Sequence, residues 1–256
     1  MEKLCSAAVF GFASTRSLAW GIAQAWAEAG ASVTVGIQSE RFRPALEAAT
    51  RGWRAPAHIV ECDVNDEGAI EAAFSSIRAH HGGRLDALVH SIAFAPASAM
   101  RAPLLATSRA DFLSAHATSA YSLLPLACAA APLLAAGGGG SILALSYLGA
   151  QRAAPNYRVM GAAKASLEAC ARGLAAELGA QGTRVNILSV GPVNTLAARG
   201  IADFPELAAH AAARAPLGRG VTLEEVGAAA VALGGAAGRG VTGQTIFLDA
   251  GFSAVV

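Results

Sequence analysis

Seven apolar runs of strand length alternate with helix-patterned stretches along this chain, and that alternation restricts the fold more than any other feature. The runs fall at residues 7–10, 32–37, 57–60, 85–89, 141–145, 184–190 and 245–248. Helical patterns occupy 18–29, 42–50, 69–80, 162–178 and 223–233, and Thr222 with Glu225 gives the last a capping-box start. Such alternation predicts a parallel sheet covered on both faces. The fold class expected is α/β: a single-domain, Rossmann-like, doubly wound parallel sheet of about seven strands. At 256 residues, with no linker or internal repeat, residues 1–256 read as one domain.

Composition excludes several partners. The net charge is +1 and the pI near 7.8, which gives no electrostatic case for nucleic acid or an anionic membrane surface. Four dispersed cysteines (Cys5, Cys62, Cys128, Cys170) lack metal-ligand spacing, so no metal is expected and a reducing compartment is. The N-terminus runs into the first strand without a leader pattern. Residues 117–150 carry no charge, which raises the question of a membrane span. Pro125, Pro132 and Gly137 to Gly140 are expected to break that stretch into a buried helix, a turn and a central strand. A helix apolar on several faces also suggests a homo-oligomer.

In doubly wound sheets, ligands bind at the carboxyl ends of the strands. After the first strand stands Gly11-Phe-Ala-Ser-Thr-Arg-Ser17-Leu18, followed by Gly21. It is either a plain strand-to-helix turn or one that aims backbone N–H groups at a pyrophosphate, with Ser17 donating to a phosphate oxygen. Gly21 is expected to let the helix approach the sheet. Gln38 ends the second strand, where an amide can bond a ribose hydroxyl, and Arg41 and Arg43 behind it are either a helix start or a phosphate clamp. Asp63, before Val64, either accepts from an adenine amine or caps a helix.

The most specific segment runs from Ser146-Tyr147 to Tyr157 and Lys164. Seven residues are two helical turns, so Tyr157 and Lys164 would share one face. A phenol can bond a substrate oxygen as charge builds on it, and an ammonium can stabilise that charge and bind a ribose. The alternative is a core tyrosine and a surface lysine. Lys164 and Lys3 are the only lysines among 19 basic residues, and a position that keeps lysine amid so much arginine needs a compact ammonium. His90 and His116 read as packing or hydrogen-bonding histidines, and Asp249 as a strand terminator. No Ser/His/Asp set is evident.

These segments resemble the bacterial enoyl-acyl-carrier-protein reductases, a divergent branch of the short-chain dehydrogenase/reductase superfamily. The resemblance runs from Phe10 to Phe252, through Cys62-Asp63-Val64, His90-Ser-Ile-Ala-Phe-Ala-Pro96, Leu145-Ser-Tyr147, Asn156-Tyr-Arg-Val-Met-Gly161, Lys164-Ala-Ser-Leu-Glu168, Thr195-Leu-Ala-Ala198 and Asp203-Phe204. Its Tyr-x6-Lys spacing separates this branch from ordinary members, whose Tyr-x3-Lys would put lysine at Gly161. The resemblance implies hydride transfer from NADH to the trans-2 double bond of an enoyl thioester on acyl carrier protein, in fatty-acid elongation. It implies catalytic Tyr147, Tyr157 and Lys164, with Ala95, Tyr147 and Tyr157 beside the substrate. NAD would meet Gly11, Ser17, Leu18, Gln38, Asp63, Val64, Ile92, Lys164, Val193, Asn194, Thr195, Leu196 and Ala197. It also implies a mobile flap over residues 195–207, a homotetramer and a cytoplasmic location. Ala93 and Ala250 stand where the family commonly has glycine, and Arg158 is unusual. Those departures leave a related enone reductase of another pathway as the alternative, and a catalytically silent NAD-binding protein as a further one.

Overall fold

The structure, a computed structural model, describes residues 6–255, so Lys3 and Cys5 lie outside the described residues. In chain order β1 (Ser6–Phe12), α1 (Leu18–Glu28), β2 (Ser32–Ile37), α2 (Arg43–Thr50), β3 (His58–Glu61), α3 (Glu67–His80) and β4 (Ala87–His90) build the first half. There follow α4 (Ala97–Arg101), α5 (Arg109–His116), a π-helical turn (Ala117–Tyr121), α6 (Leu123–Ala136), β5 (Ser141–Ser146) and α7 (Arg158–Leu178). The chain closes with β6 (Arg184–Val190), α8 (Phe204–Arg214), α9 (Leu223–Gly234) and β7 (Thr245–Leu248). The seven strands form one sheet in the order β3-β2-β1-β4-β5-β6-β7, and every neighbouring pair is parallel. Strand order reverses between β1 and β4, which opens a crevice at their carboxyl ends.

Each face of the sheet carries its own core. On one side Phe10, Phe74, Ile77, Leu123, Leu134 and Leu167 pack together; on the other, Ile22, Trp26, Ile37, Leu46, Leu188 and Val226 do. Burial on both faces explains why the strands read as continuous apolar runs and not as alternations. The Thr222–Glu225 capping box is present, and Arg219 pairs with Glu225 at 2.7 Å.

Several expectations need correction. β4 starts at Ala87, not Leu85, because the Leu85 N–H donates to Leu133 of α6 instead of joining the ladder. Gly21 spaces α1 from α9 and not from the sheet: a Cβ there would stand 2.8 Å from the Leu223 carbonyl. Neither Pro125 nor Pro132 breaks the uncharged stretch. Arg109–Ala136 is one 28-residue helical run, long and apolar enough to cross a membrane by length and composition, with half of its most apolar 18 residues buried. Pro125 falls just past the π-helical turn, in the first turn of α6. Ala250 turns the chain after β7 at φ 58°, a left-handed conformation that costs a side-chain-bearing residue about 1 kcal/mol relative to glycine.

Far from the crevice, His58, His80 and His81 pack together where β3 begins and α3 ends, with His58 and His80 stacked at 4.2 Å. Thr34 Oγ1 bonds both His58 Nδ1 (3.1 Å) and His81 Nε2 (2.8 Å). Burial first, and neighbouring rings second, lower the pKa of His58 and bring His81 down to about 4. Burial, helped by Lys164, brings His90 to about 3. Unfolded, each ring takes its proton near pH 6.5, so below that the unfolded chain binds more protons. The stability these rings contribute should therefore be complete above about pH 6.5 and decline as pH falls towards 4. Thermal melting across that range tests this, and a flat Tm would contradict neutral burial of these rings.

Candidate active site

A cavity of about 740 Å³ occupies the crevice at the carboxyl ends of β1, β4, β5 and β6. Its floor is set by a close backbone crossing. Gly11 has φ 109°, and a Cβ there would collide with the Ser91 carbonyl just past β4. Glycine is needed at that crossing because it alone brings no side chain to it. The ladder between β1 and β2 shifts register across this residue, which turns Phe12 and Ala13 towards the cavity.

Lys164 stands at the centre of the site. It is 4% exposed, and Nζ donates to the Leu145 carbonyl (2.8 Å) and the Ile92 carbonyl (3.0 Å). The surface-lysine reading is therefore excluded. Burial pulls its pKa down to about 7, against the pull of Glu168 in the opposite direction. Two of the three N–H bonds of the ammonium are used, and one remains for a ligand.

Tyr157 occupies the N-cap position of α7, which starts at Arg158, four residues earlier than the helical pattern indicates. The lag has a visible source in Gly161, which lowers helical propensity inside the first turn. Tyr157 is buried among Met100, Met160 and Ala163, and its ring meets Tyr147 edge-on at 4.9 Å. Burial raises both phenol pKa values, further helped at Tyr157 by Tyr147 and Glu168 and at Tyr147 by Asp249. Both phenols are therefore held as O–H donors. Asp249 also accepts from the N–H groups of Gly251 and Ser253, the strand-ending role expected of it.

Two glycines press this pair into place. A Cβ at Gly161 would stand 2.7 Å from the Gly149 carbonyl, and one at Gly149 would enter the Tyr157 ring. The first turn of α7 thus lies directly on the turn at Leu148–Ala150. No lysine fits at 161, and the ammonium stands about one turn later, at Lys164.

The family model described as enoyl-(acyl carrier protein) reductase matches residues 11–253. The chain belongs to this reductase family. It is 46% identical to the NADH enoyl-acyl-carrier-protein reductase of Neisseria meningitidis serogroup B, over 96% of this chain and 93% of that one. With the Bacillus subtilis enzyme of the same name it shares 43% identity, over 95% of this chain and 94% of that one. Among solved structures, the Anaplasma phagocytophilum reductase in complex with NAD superposes with a TM-score of 0.92 at 39% identity, covering 98% of this chain and 94% of that one. The Bacillus cereus reductase with NADP+ and an indole naphthyridinone gives 0.94 at 39% identity, covering 98% and 97%.

The residues expected at the dinucleotide and the substrate divide between the cavity wall and positions away from it. Gly11, Ser17, Leu18, Gln38, Asp63, Val64, Ile92, Ala95, Val193, Thr195 and Leu196 line the cavity with Tyr147, Tyr157 and Lys164. Asn194 is exposed and does not line it, and the side chain of Ala197 lies outside the described residues. The Ser17 hydroxyl is engaged locally, donating to the Ser14 carbonyl (2.7 Å) and accepting from the Trp20 N–H as the cap of α1. Asp63 accepts from Asn65, and the cap of α3 is Asp66 instead. His90 bonds Ser122 at 2.8 Å, and His116 bonds the Phe112 carbonyl at 2.9 Å, so both serve hydrogen bonding as expected.

Sequence reasoning missed Met100 and Met160, which form the apolar end of the cavity together with Ile201, Phe204 and Leu207 of the expected flap segment. It also missed Asn156, whose amide donates to the Ala202 carbonyl (3.0 Å) and Asp203 Oδ2 (3.2 Å). Arg158 donates to Asn156 Oδ1 (3.2 Å). All three polar residues have positive φ, near 50–60°, a conformation Asn and Asp adopt more readily than arginine. The Asn-Tyr and Asp-Phe pairs and the unusual Arg158 were the signals for them.

Gly161→Ala should overpack the turn at Leu148–Ala150 by about 1–3 kcal/mol. It should displace Tyr157 enough to cut reductase turnover by roughly 10²-fold. Comparing Tm with kcat checks both, and an active Gly161→Ala would show that this contact does not position the phenol.

Proposed function

We propose that this chain reduces the trans-2 double bond of enoyl thioesters carried on acyl carrier protein, with NADH as reductant, in fatty-acid elongation. The single observation that carries the reading is the buried Tyr157–Lys164 pair, which the gapped spacing brings to one cavity. The residues present fit a dinucleotide. The cavity runs from Gln38 and Asp63 at one end, past Ile92 and Lys164, to Tyr157 and an apolar pocket at the other. NADH, when bound, supplies hydride to the β-carbon of the substrate.

The chain supplies the rest. As the β-carbon takes the hydride, the C=C pair shifts to the bond between the α-carbon and the carbonyl carbon, and the carbonyl pair moves onto the thioester oxygen. The Tyr157 hydroxyl, kept protonated by burial, donates a hydrogen bond to that oxygen, and a solvent-derived proton taken up at the α-carbon completes the reduction. Lys164, fixed by two carbonyls, places positive potential beside that oxygen and offers its remaining N–H to a ribose hydroxyl. Tyr147 packs against Tyr157 and holds its ring. Met100, Met160, Phe204 and Leu207 exclude water from the reacting end and suit an acyl chain. Residues 195–207 act as the flap over this pocket, tied to the loop before Tyr157 through Asn156. Gly11, Ser17, Leu18, Gln38, Asp63, Val64, Ile92, Val193, Thr195 and Leu196 form the dinucleotide end, with Ala95 beside the substrate.

The site occupies one single-domain unit. A homotetramer would cover the exposed Phe112, Leu113 and Tyr121, which project from the helical run Arg109–Ala136. The described cysteines Cys62, Cys128 and Cys170 are free thiols, which suits a reducing cytoplasm.

Two measurements test the reading. Tyr157→Phe should bind NADH normally yet lose about 10²-fold or more in kcat on enoyl thioesters, the scale for losing one oxyanion donor. Full activity in that variant would remove Tyr157 from the reaction. For the cofactor, Arg43 is already paired with Glu40 and Arg41 lies over the Phe42 ring, so neither is a free clamp for a 2′-phosphate beside Gln38. NADH should be preferred over NADPH by about tenfold or more in kcat/KM, the worth of roughly one charge-assisted bond. Equal values would show that an arginine leaves its partner for the phosphate.

A further inference from the structure

Glu168 lies one helical turn beyond Lys164 on α7 and is 3% exposed. Its carboxylate accepts from three neutral donors: Ser146 Oγ at 2.6 Å, Gln151 Nε2 at 2.9 Å and Thr245 Oγ1 at 3.4 Å. Among the described residues no salt bridge reaches it. Lys164 is the mirror case, a buried ammonium held by two neutral carbonyls. Two buried ions of opposite sign therefore stand at i and i+4 on one helix face, each bonded to neutral groups and neither exposed to screening solvent.

The donors to Glu168 connect it to the rest of the site. Ser146 separates Leu145, whose carbonyl holds Lys164, from Tyr147. Gln151 belongs to the loop that leads to Tyr157, and Thr245 opens β7. One carboxylate thus fastens the end of β5, the tyrosine loop and β7 to α7.

We propose that Glu168 is a positioning residue for the reaction, the counter-charge that keeps Lys164 an ammonium while its hydrogen bonds fix the strand end that holds Lys164 and Tyr147. This rests on the reading of Lys164 and Tyr157 as the reacting pair. The charged and titratable groups around Lys164 are few. His90 faces it from β4 and is neutral; Tyr157 and Tyr147 approach from the loop and are protonated; Asp249, past β7, bears on Tyr147. Glu168 is the group that opposes the burial of the ammonium. Opposite charges one turn apart on a helix, about 6 Å, attract strongly enough at an effective dielectric of 20 to move the titration by about two pH units.

The chain offers an unusually direct readout, since Lys3 and Lys164 are its only lysines. With 13C-lysine labelling and Lys3→Arg to assign the signals, the Lys164 titration can be followed by NMR without any turnover. Glu168→Gln keeps an acceptor for Ser146 and removes the charge. Lys164 should then lose its proton at a pH lower by at least about one unit, and the alkaline limb of kcat/KM should move with it. Glu168→Asp, which withdraws the charge by one methylene, should shift the titration in the same direction by less, and it serves where Glu168→Gln does not fold. An unmoved titration in a folded variant overturns the proposal, as does an equal loss of kcat in both variants at every pH. If wild type fails to reduce enoyl thioesters while the titration still shifts, the functional reading falls and the electrostatic coupling stands.

Discussion

The Lys164 ammonium is the tie on which the rest of the site depends. It joins three elements through one side chain: α7, which carries it, and the ends of β4 and β5, whose backbones supply the Ile92 and Leu145 carbonyls. Burying an ammonium is expensive, so a site that does this must supply fixed oxygen partners and an opposing charge. Both are present, the carbonyls directly and Glu168 one turn away. In the proposed reaction that burial would make the charge more effective, because a charge in a dry, preorganised setting acts more strongly on a reacting oxygen than one in water.

Around that tie, close contacts bring the remaining groups to the same cavity. Gly11 lets β1 pass against the Ser91 peptide, and Gly161 lets α7 lie on Gly149. The π-helical turn adds a third clamp. Ser119 Oγ accepts from the Phe94 N–H at 2.9 Å and donates to the Phe94 carbonyl at 2.8 Å, while Ser122 holds His90. The extra residue in that turn re-aims two serines towards the loop after β4, a use of π turns common near functional sites. The loop from Ser91 to Ala95 is thus fastened from both sides of the cavity.

Much of this was legible in the sequence. β2, β6 and β7 begin and end where their apolar runs do, because each run is bounded by turn-forming or charged residues. β4 did not, because Leu85 is apolar for the sake of α6 and not of the ladder. Lys164 was legible for a compositional reason: lysine surviving where arginine had taken nearly every other basic position. Glu168 and Asn156 were not, since neither residue type on a helix or in a loop signals a buried anchor, and their partners Ser146, Gln151, Thr245 and Asp203 come from distant parts of the chain.

By itself, the sequence determined the alternation of strand and helix, the parallel sheet and the two-turn spacing of Tyr157 and Lys164. Each is a local or periodic property, fixed by which residues lie next to or a turn away from one another. Tertiary structure alone decided that Gly21 faces a helix, that Pro132 continues a helix instead of ending it, and that Lys164 is buried. The physical reason is common to all of them. Packing and hydrogen-bond competition are settled between segments that are remote in sequence, and no pattern within either segment records which partner wins.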